Sequence, residues 1–241
     1  MIQDIEICMS NRRNERLVLF MRNYSVFDII GPIMVGPSSS HTAGAARLGK
    51  IAKLIAGGEI TGVKFMLHGS FAETYKGHGT DKALVAGILG MEPWDDRLKE
   101  SMEIAKEKGI SIEFLPADLG DVPPNTVKML ITDANGTTMT VVGSSIGGGN
   151  IIITEVDGEK IEFTGMYPTL LVRHVDIPGI ILRVCEVLYD HRVNIASLKV
   201  FRSGKAADAS MVFELDDRIN ENEVKKIKKI PNIMSVKFIN L

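Results

Sequence analysis

Cysteine is scarce in this sequence. Its 241 residues hold two, Cys8 and Cys185, far apart and without CxxC spacing. That leaves no basis for a disulfide framework, a cysteine zinc site or an iron–sulfur cluster housed by this chain alone. Charge of one sign is scarce as well: 28 Lys plus Arg stand against 30 Asp plus Glu, a formal net charge of −2. No long-range basic field draws such a chain to nucleic acid or to a membrane surface, so small molecules and proteins are the expected partners. Long apolar runs are missing too, since Lys, Arg, Asp or Gly interrupts each candidate before the ~18 residues that a spanning helix needs. The first twenty residues carry a basic run at 11–16 but no apolar stretch leading to a small-residue cleavage site, which argues against a secretion signal. A reducing cytoplasm is the expected setting.

What is present is patterned. Coherent signals begin at Met21, and residues 1–22 read as a flexible N-terminal extension. An apolar stretch from Phe27 is broken by Pro32, Gly36 and Pro37, which predicts an extended entry into a turn. Residues 42–56 then place Ala46, Ile51 and Leu54 or Ile55 near one helical stripe, with Ser38, Ser39 and Ser40 as hydroxyl caps and Gly57 and Gly58 as the stop. Alternation at 63–67 predicts a strand entering His68-Gly69. Thr80 and Asp81 open a helix over 82–89, 95–108 is a charged surface helix, and 110–114 is a strand.

From 126 to 163 the signals are those of antiparallel strands, with Asn135-Gly136 and Asp157-Gly158 as turn dipeptides. The run 143–150, Gly-Ser-Ser-Ile-Gly-Gly-Gly-Asn, is too rich in glycine for an unbroken strand and predicts a loop or a bulge that exposes backbone N–H groups. Beyond Tyr167 the order is strand 169–175, helix 178–191, strands 194–202 and 207–215, helix 219–229 and strand 233–239. That βαββαβ order is the split βαβ, ferredoxin-like arrangement. The expected fold class is α+β, with one domain over 23–165 and a second over 168–241.

Several of these segments carry chemistry. A helix entry rich in Ser38, Ser39, Ser40 and Thr42 offers orphan N–H groups and hydroxyls to a carboxylate, although the same residues also serve as plain caps. His41 has an imidazole that titrates near working pH and suits a general acid or base, against a purely structural role. His68, His78 and Asp81 match no strong metal-ligand spacing. His78, Gly79, Thr80 and Asp81 line either a substrate cavity or a partner interface. The glycine run offers Ser144, Gly147, Gly148 and Asn150 to a ligand carboxylate or phosphate; a tight hairpin explains the same glycines without a ligand.

The stretch Gly36-Pro37-Ser38-Ser39-Ser40-His41-Thr42-Ala43-Gly44 resembles the signature of the iron–sulfur-dependent L-serine dehydratases, and His78-Gly79-Thr80-Asp81 resembles a second motif of that family. The run from Gly143 is similar to a third marker, and Asp176-Ile177-Pro178-Gly179 resembles the ligand loop of ACT regulatory domains. The resemblance implies a serine dehydratase beta domain, like the allosteric substrate-binding domain of some phosphoglycerate dehydrogenases, followed by an ACT domain. It also implies L-serine ammonia-lyase activity in a complex whose alpha subunit ligates a [4Fe–4S] cluster, with no metal held in this chain. His41 is then the catalytic candidate. Ser38, Ser39, Ser40, Thr42, His78, Gly79, Thr80, Asp81, Ser144, Gly147, Gly148 and Asn150 are the substrate-binding candidates. Asp176, Gly179, Asn194 and Ile195 are the candidates for a regulatory amino acid, with homodimerisation through the ACT domain as the competing or accompanying role.

Two other readings stand beside this one. A non-catalytic amino-acid sensor needs neither cluster nor partner. A pyridoxal-phosphate dehydratase needs a Schiff-base lysine, for which Lys50, Lys53, Lys64, Lys76 and Lys82 are available without a motif to choose among them.

Overall fold

The computed structural model describes residues 32–202, 204 and 207–240. The expected N-terminal extension, Cys8 and the beginning of the extended entry at Phe27 lie outside the described residues.

The described residues form two sheets, each with helices on one face. The first sheet has six strands: β1 (Ile60–Leu67), β2 (Ser111–Pro116), β3 (Thr126–Asp133), β4 (Thr138–Gly147), β5 (Asn150–Val156) and β6 (Glu159–Phe163). Their order is β2-β1-β3-β4-β5-β6; β2 runs parallel to β1 and every other pairing is antiparallel. The helical elements are a π-helical turn, Ser39–Gly44, that runs directly into α1 (Ala45–Ala56), then α2 (Gly69–Thr74), α3 (Thr80–Ile88), a 3-10 turn at Asp96–Glu100 and α4 (Ser101–Glu107). The α1 stripe is broader than the sequence pattern suggested: Ala45, Ala46, Leu48, Gly49, Ile51, Ala52 and Ile55 are all buried. It stops where expected, at Gly57, whose φ of 62° is a conformation that glycine adopts at little cost.

Helices α1 and α3 cross with their backbones in contact. A Cβ on Gly49 would fall 2.2 Å from Leu84 O, and one on Gly87 would fall 2.1 Å from Ala46 O. The two glycines therefore set the depth at which the helix entry at Ser38–Thr42 meets the segment preceding α3.

Of the loop or bulge expected over 143–150, the run takes the form of an irregular, bulged strand pair. It is not a free loop: β4 continues through Gly147 and β5 begins at Asn150, with register shifts at Val142/Gly143 and Ser145/Gly147 and a tight turn between the strands. Gly143 is required for packing, because a Cβ there would meet Leu48 Cδ2 at 2.7 Å and Ile153 Cδ1 at 2.8 Å.

The second sheet comprises β7 (Thr169–Val175), β8 (Ile195–Arg202), β9 (Asp208–Leu215) and β10 (Ile233–Ile239) in the order β10-β7-β9-β8, fully antiparallel. Helices α5 (Ile180–Asp190) and α6 (Glu221–Lys228) complete the βαββαβ arrangement. Strand periodicity divides its faces. Leu170, Val172, Met211 and Phe213 pack with Ile180, Val184, Leu188 and Ile227 of the helices, while Leu171, Phe201, Val212 and Ile239 pack with the core of the first sheet. The helix expected over 178–191 opens at Ile180 behind Gly179 (φ 85°), so Pro178 precedes the cap. Glu214, nearly buried, ties the sheets together. Its Oε1 accepts from the Thr164 N–H at 2.9 Å and the Thr164 hydroxyl at 2.6 Å, and its Oε2 accepts from Ser197 at 2.9 Å.

Among the described residues no helix is long and apolar enough to cross a membrane.

Candidate functional site

The site begins where the chain enters the helical layer. Ser38 is extended (φ −139°, ψ 127°), and its Oγ accepts from the His41 N–H at 3.2 Å. Ser38 is thus the cap, whereas Ser39 and Ser40 lie inside the π-helical turn rather than ahead of the helix, as the sequence reading had placed them. The wider turn swings His41 inward, where it is 9% exposed.

The His41 ring is held at both nitrogens. Nδ1 lies 3.1 Å from Ser40 Oγ and 3.5 Å from Ser38 Oγ, and Nε2 lies 3.1 Å from Ser70 Oγ. A hydroxyl donates or accepts as required, so a neutral imidazole donates to one serine and accepts from the other in either tautomer. Phe71 meets the ring edge-on at 5.2 Å between centroids, and the His78 ring lies 4.9 Å away. Burial lowers the His41 pKa below the ordinary value and nearby His78 lowers it further, opposed by hydrogen bonding from Ser70. The result is a neutral imidazole with a fixed orientation, the form that accepts a proton.

Ser70 was missed by the sequence reading. Its neighbour Gly69 supplied the available signal: it has φ 52°, and a Cβ there would lie 2.8 Å from Pro124 O. That close approach fixes the start of α2 and aims Ser70 at His41. His68 caps α2 instead of joining the cluster; its Nδ1 accepts from the Leu119 N–H at 3.1 Å.

The second motif reaches the first through its backbone. Thr42 Oγ1 donates to His78 O at 3.5 Å. Gly79, at φ 68°, caps α3 without a side-chain hydrogen bond, so Thr80 and Asp81 begin that helix without capping it. Burial pushes the Asp81 carboxyl up, partly offset by hydrogen bonding from the Lys82 N–H, which its Oδ1 accepts at 2.8 Å. Thr80 Oγ1 is buried without a protein partner, as are Ser145 Oγ and Asn125 Oδ1. Ser145 presses on the helix entry so closely that a Cβ on Gly44 would lie 2.1 Å from its Oγ.

The glycine run contributes differently from its neighbours. The Ser144 hydroxyl is 2.6 Å from Thr126 Oγ1, a buried pair. Gly147 and Gly148 take φ of 96° and 59° in the hairpin turn, and Gly149 O accepts from Arg47 Nη1 at 2.8 Å. Asn150 lines a separate cavity of about 300 Å³ with Arg47, Lys50, Glu92 and Thr164. Four of the five lysines considered for a Schiff base are engaged elsewhere: Lys50 pairs with Glu92, Lys53 donates to Leu89 O at 3.2 Å, Lys64 pairs with Glu113, and Lys76 lies over the Tyr75 ring.

The regulatory candidates fall at opposite ends of the second sheet. Asp176 follows Val175, which pairs with Asp208, and its carboxylate accepts from Arg202 Nη1 at 3.1 Å. Asn194 donates to Asp216 at 2.6 Å, and Ile195 pairs with Leu215 at the other end. Six residues of strand separate the ends, ~20 Å. A single copy cannot close both around one amino acid.

The described residues do not fit an iron–sulfur cluster. Cys185, on α5, is the free cysteine among them, burial raises its pKa, and no three His, Cys, Asp or Glu side chains among the described residues converge on a metal position.

Residues 25–111 match the family model of the serine dehydratase beta chain, and residues 168–232 match that of the ACT domain. The chain is 45% identical over 216 residues to a probable L-serine dehydratase beta chain of Bacillus subtilis, covering 90% of this chain and 98% of that one. It is 42% identical to the L-serine dehydratase beta chain of Peptoniphilus asaccharolyticus, covering 92% of this chain and all of the relative. A D-3-phosphoglycerate dehydrogenase of Methanocaldococcus jannaschii is 29% identical over 82% of this chain and 37% of its own length.

Proposed function

The chain belongs to the serine dehydratase beta-chain family, and we propose that it works as the beta subunit of an L-serine ammonia-lyase, converting L-serine to pyruvate and ammonia with an alpha subunit that carries a [4Fe–4S] cluster. The observation that carries this reading is His41, buried, neutral and held between Ser40 and Ser70 in the turn that also presents Ser38 and Ser39.

Serine loses a water through departure of its α-hydrogen and its β-hydroxyl; the resulting enamine becomes an imine and is hydrolysed to pyruvate and ammonia. This chain's part is binding and proton handling. The N–H groups and hydroxyls at the start of the π-helical turn hold the substrate carboxylate. A substrate group that displaces one of the two serines from the His41 ring meets an imidazole that the other still orients, and His41 takes up or returns a proton there. His78, Gly79, Thr80 and Asp81 line the side of the site that Thr42 joins to the turn. Ser144, Gly147 and Gly148 support the site from the β4–β5 hairpin, whose Gly149 stands beside Ala43, whereas Asn150 faces the separate cavity beside Arg47.

The two domains are assigned to 23–165 and 168–241, in a cytoplasmic enzyme. Homodimerisation through the second is supported by the separation of Asp176 and Gly179 from Asn194 and Ile195. Two sheets set side by side in opposite directions bring one end of each together around an amino acid. Exposed Ile181, Leu182 and Tyr189 on α5, with Leu198 and Val200 on edge strand β8, give that contact an apolar surface.

The test is anaerobic reconstitution. The beta chain alone should form no pyruvate from L-serine, and mixing it with the cluster-bearing alpha chain should start turnover. Pyruvate formation by the isolated beta chain without iron would refute the division of labour.

A further inference from the structure

A cavity of about 270 Å³ lies between the two sheets, away from the helix entry. Its floor is the face of the second sheet opposite α5 and α6. Arg173 on β7 pairs with Ser210 on β9 and with Ser235 on β10, so the three side chains stand in one row across the strands at ~4.8 Å intervals. Lys237 stands two residues along β10 from Ser235, on the same face. The opposite wall is the β5–β6 hairpin, with Val156, Asp157, Glu159 and Ile161.

Both signs of charge face this space; Glu159 accepts from Ser210 at 3.2 Å and Asp157 Oδ1 from the Thr140 N–H at 2.9 Å, which leaves each carboxylate further lone pairs. Arg173 Nη2 pairs with Glu159 at 2.7 Å, yet its Nε is buried with no partner. The Lys237 ammonium, with three donors to place, makes two long contacts, 3.4 Å to Ile55 O and 3.5 Å to Met139 Sδ. Burial lowers its pKa, with Asp157 opposing. A simple anion here would face the carboxylates of Asp157 and Glu159, and a simple cation would face Arg173 and Lys237. A small zwitterion answers both: a carboxylate toward Arg173 Nε and Lys237, an ammonium toward Asp157 and Glu159, and a short side chain against Val156, Ile161 and Leu171.

We propose that this inter-sheet cavity binds a free α-amino acid with a small side chain, at a place distinct from the helix-entry site and from both ends of the second sheet. The occupant also reaches His41 mechanically. Lys237 donates to Ile55 in the last turn of α1, and the same helical segment carries His41 at its other end, ~20 Å away. A carboxylate that draws Lys237 from Ile55 changes the seating of that helix; this coupling rests on the function proposed above, whereas the binding does not.

Calorimetric titration of the full chain with L-alanine tests the binding, because L-alanine has no hydroxyl to eliminate. Wild type and His41→Ala should bind it equally, and affinity should fall at least tenfold in Lys237→Met and in Ser235→Leu. The second variant fills the cavity without removing charge, and thermal melts establish that each variant is folded. Equal affinity in both cavity variants, loss in His41→Ala instead, binding of inorganic phosphate in place of L-alanine, or no binding overturns the site. In the reconstituted complex L-alanine should shift the KM for L-serine at least twofold in wild type and leave Ser235→Leu unchanged; no shift in wild type overturns the coupling.

Discussion

Substituting alanine for Gly87 adds one methyl group at the place where α1 and α3 touch. The new Cβ would lie 2.1 Å from Ala46 O, 2.6 Å from Lys50 N and 2.8 Å from Gly49 Cα. The first distance is more than ~1 Å inside van der Waals contact. All three atoms belong to the backbone, so no rotamer change relieves them. Overpacking of this kind costs about 1–3 kcal/mol, and the ~1 kcal/mol that alanine returns as a better helix former offsets only part of it. The expected net loss is up to about 2 kcal/mol, read from the midpoint of urea unfolding with the slope unchanged. Relief requires α1 to move away from α3, carrying Ser38–Thr42 away from His78–Asp81. A displacement near 1 Å at a catalytic constellation costs about 100-fold in rate, so turnover by the reconstituted complex should fall far more than stability. Gly77→Ala is the control, because its Cβ would meet nothing nearer than Thr74 O at 3.7 Å, and it should change stability by no more than about 0.5 kcal/mol. A Gly87→Ala chain with wild-type midpoint and turnover would refute the argument that this crossing positions the site.

Other perturbations separate the parts of the account. Ser70→Ala removes the partner of His41 Nε2, and with a neutral hydrogen bond contributing about 0.5–1.5 kcal/mol turnover should drop about 2- to 12-fold in steady-state assays. Because the His41 pKa is lowered in the folded chain, the unfolded chain takes up the proton first as pH falls. The stability associated with neutral His41 is therefore present above its ordinary value of 6.5 and is lost as pH falls through the folded value; urea titrations across that window should show the loss in wild type and not in His41→Asn. His78→Gln removes a neighbour that lowers the His41 pKa, so the acidic limb of the pH–rate profile should move to higher pH. Glu214→Leu leaves the Thr164 N–H and hydroxyl without their acceptor and should cost about 1–3 kcal/mol, read from the thermal midpoint.

The second sheet was legible almost to the residue. Strands 169–175 and 233–239 begin and end where the sequence pattern predicts, because each is bounded by turn residues. The helix entry was legible as a motif but not as a shape. A π-helical turn leaves no periodic trace over six residues, so Ser39 and Ser40 read as caps when they are helical. Ser70 was invisible because its role comes from a contact 29 residues away in sequence. The run 143–150 was legible as a loop or a bulge but not as the place where β4 is closely packed: glycine usually weakens a strand, yet here small size is what lets Leu48 and Ile153 close over β4. The motif at Asp176–Gly179 showed one end of the second sheet and Asn194–Ile195 the other, but only the strand register revealed that they lie apart.

The most direct measurement is pyruvate formation from L-serine by the alpha chain combined with wild-type or His41→Ala beta chain, after circular dichroism and pull-down establish equal folding and equal association. If His41 handles a proton in the reaction, the substitution should lower turnover by about 100- to 10,000-fold while the complex still assembles. Near-wild-type turnover from the folded, associated His41→Ala complex would contradict the account.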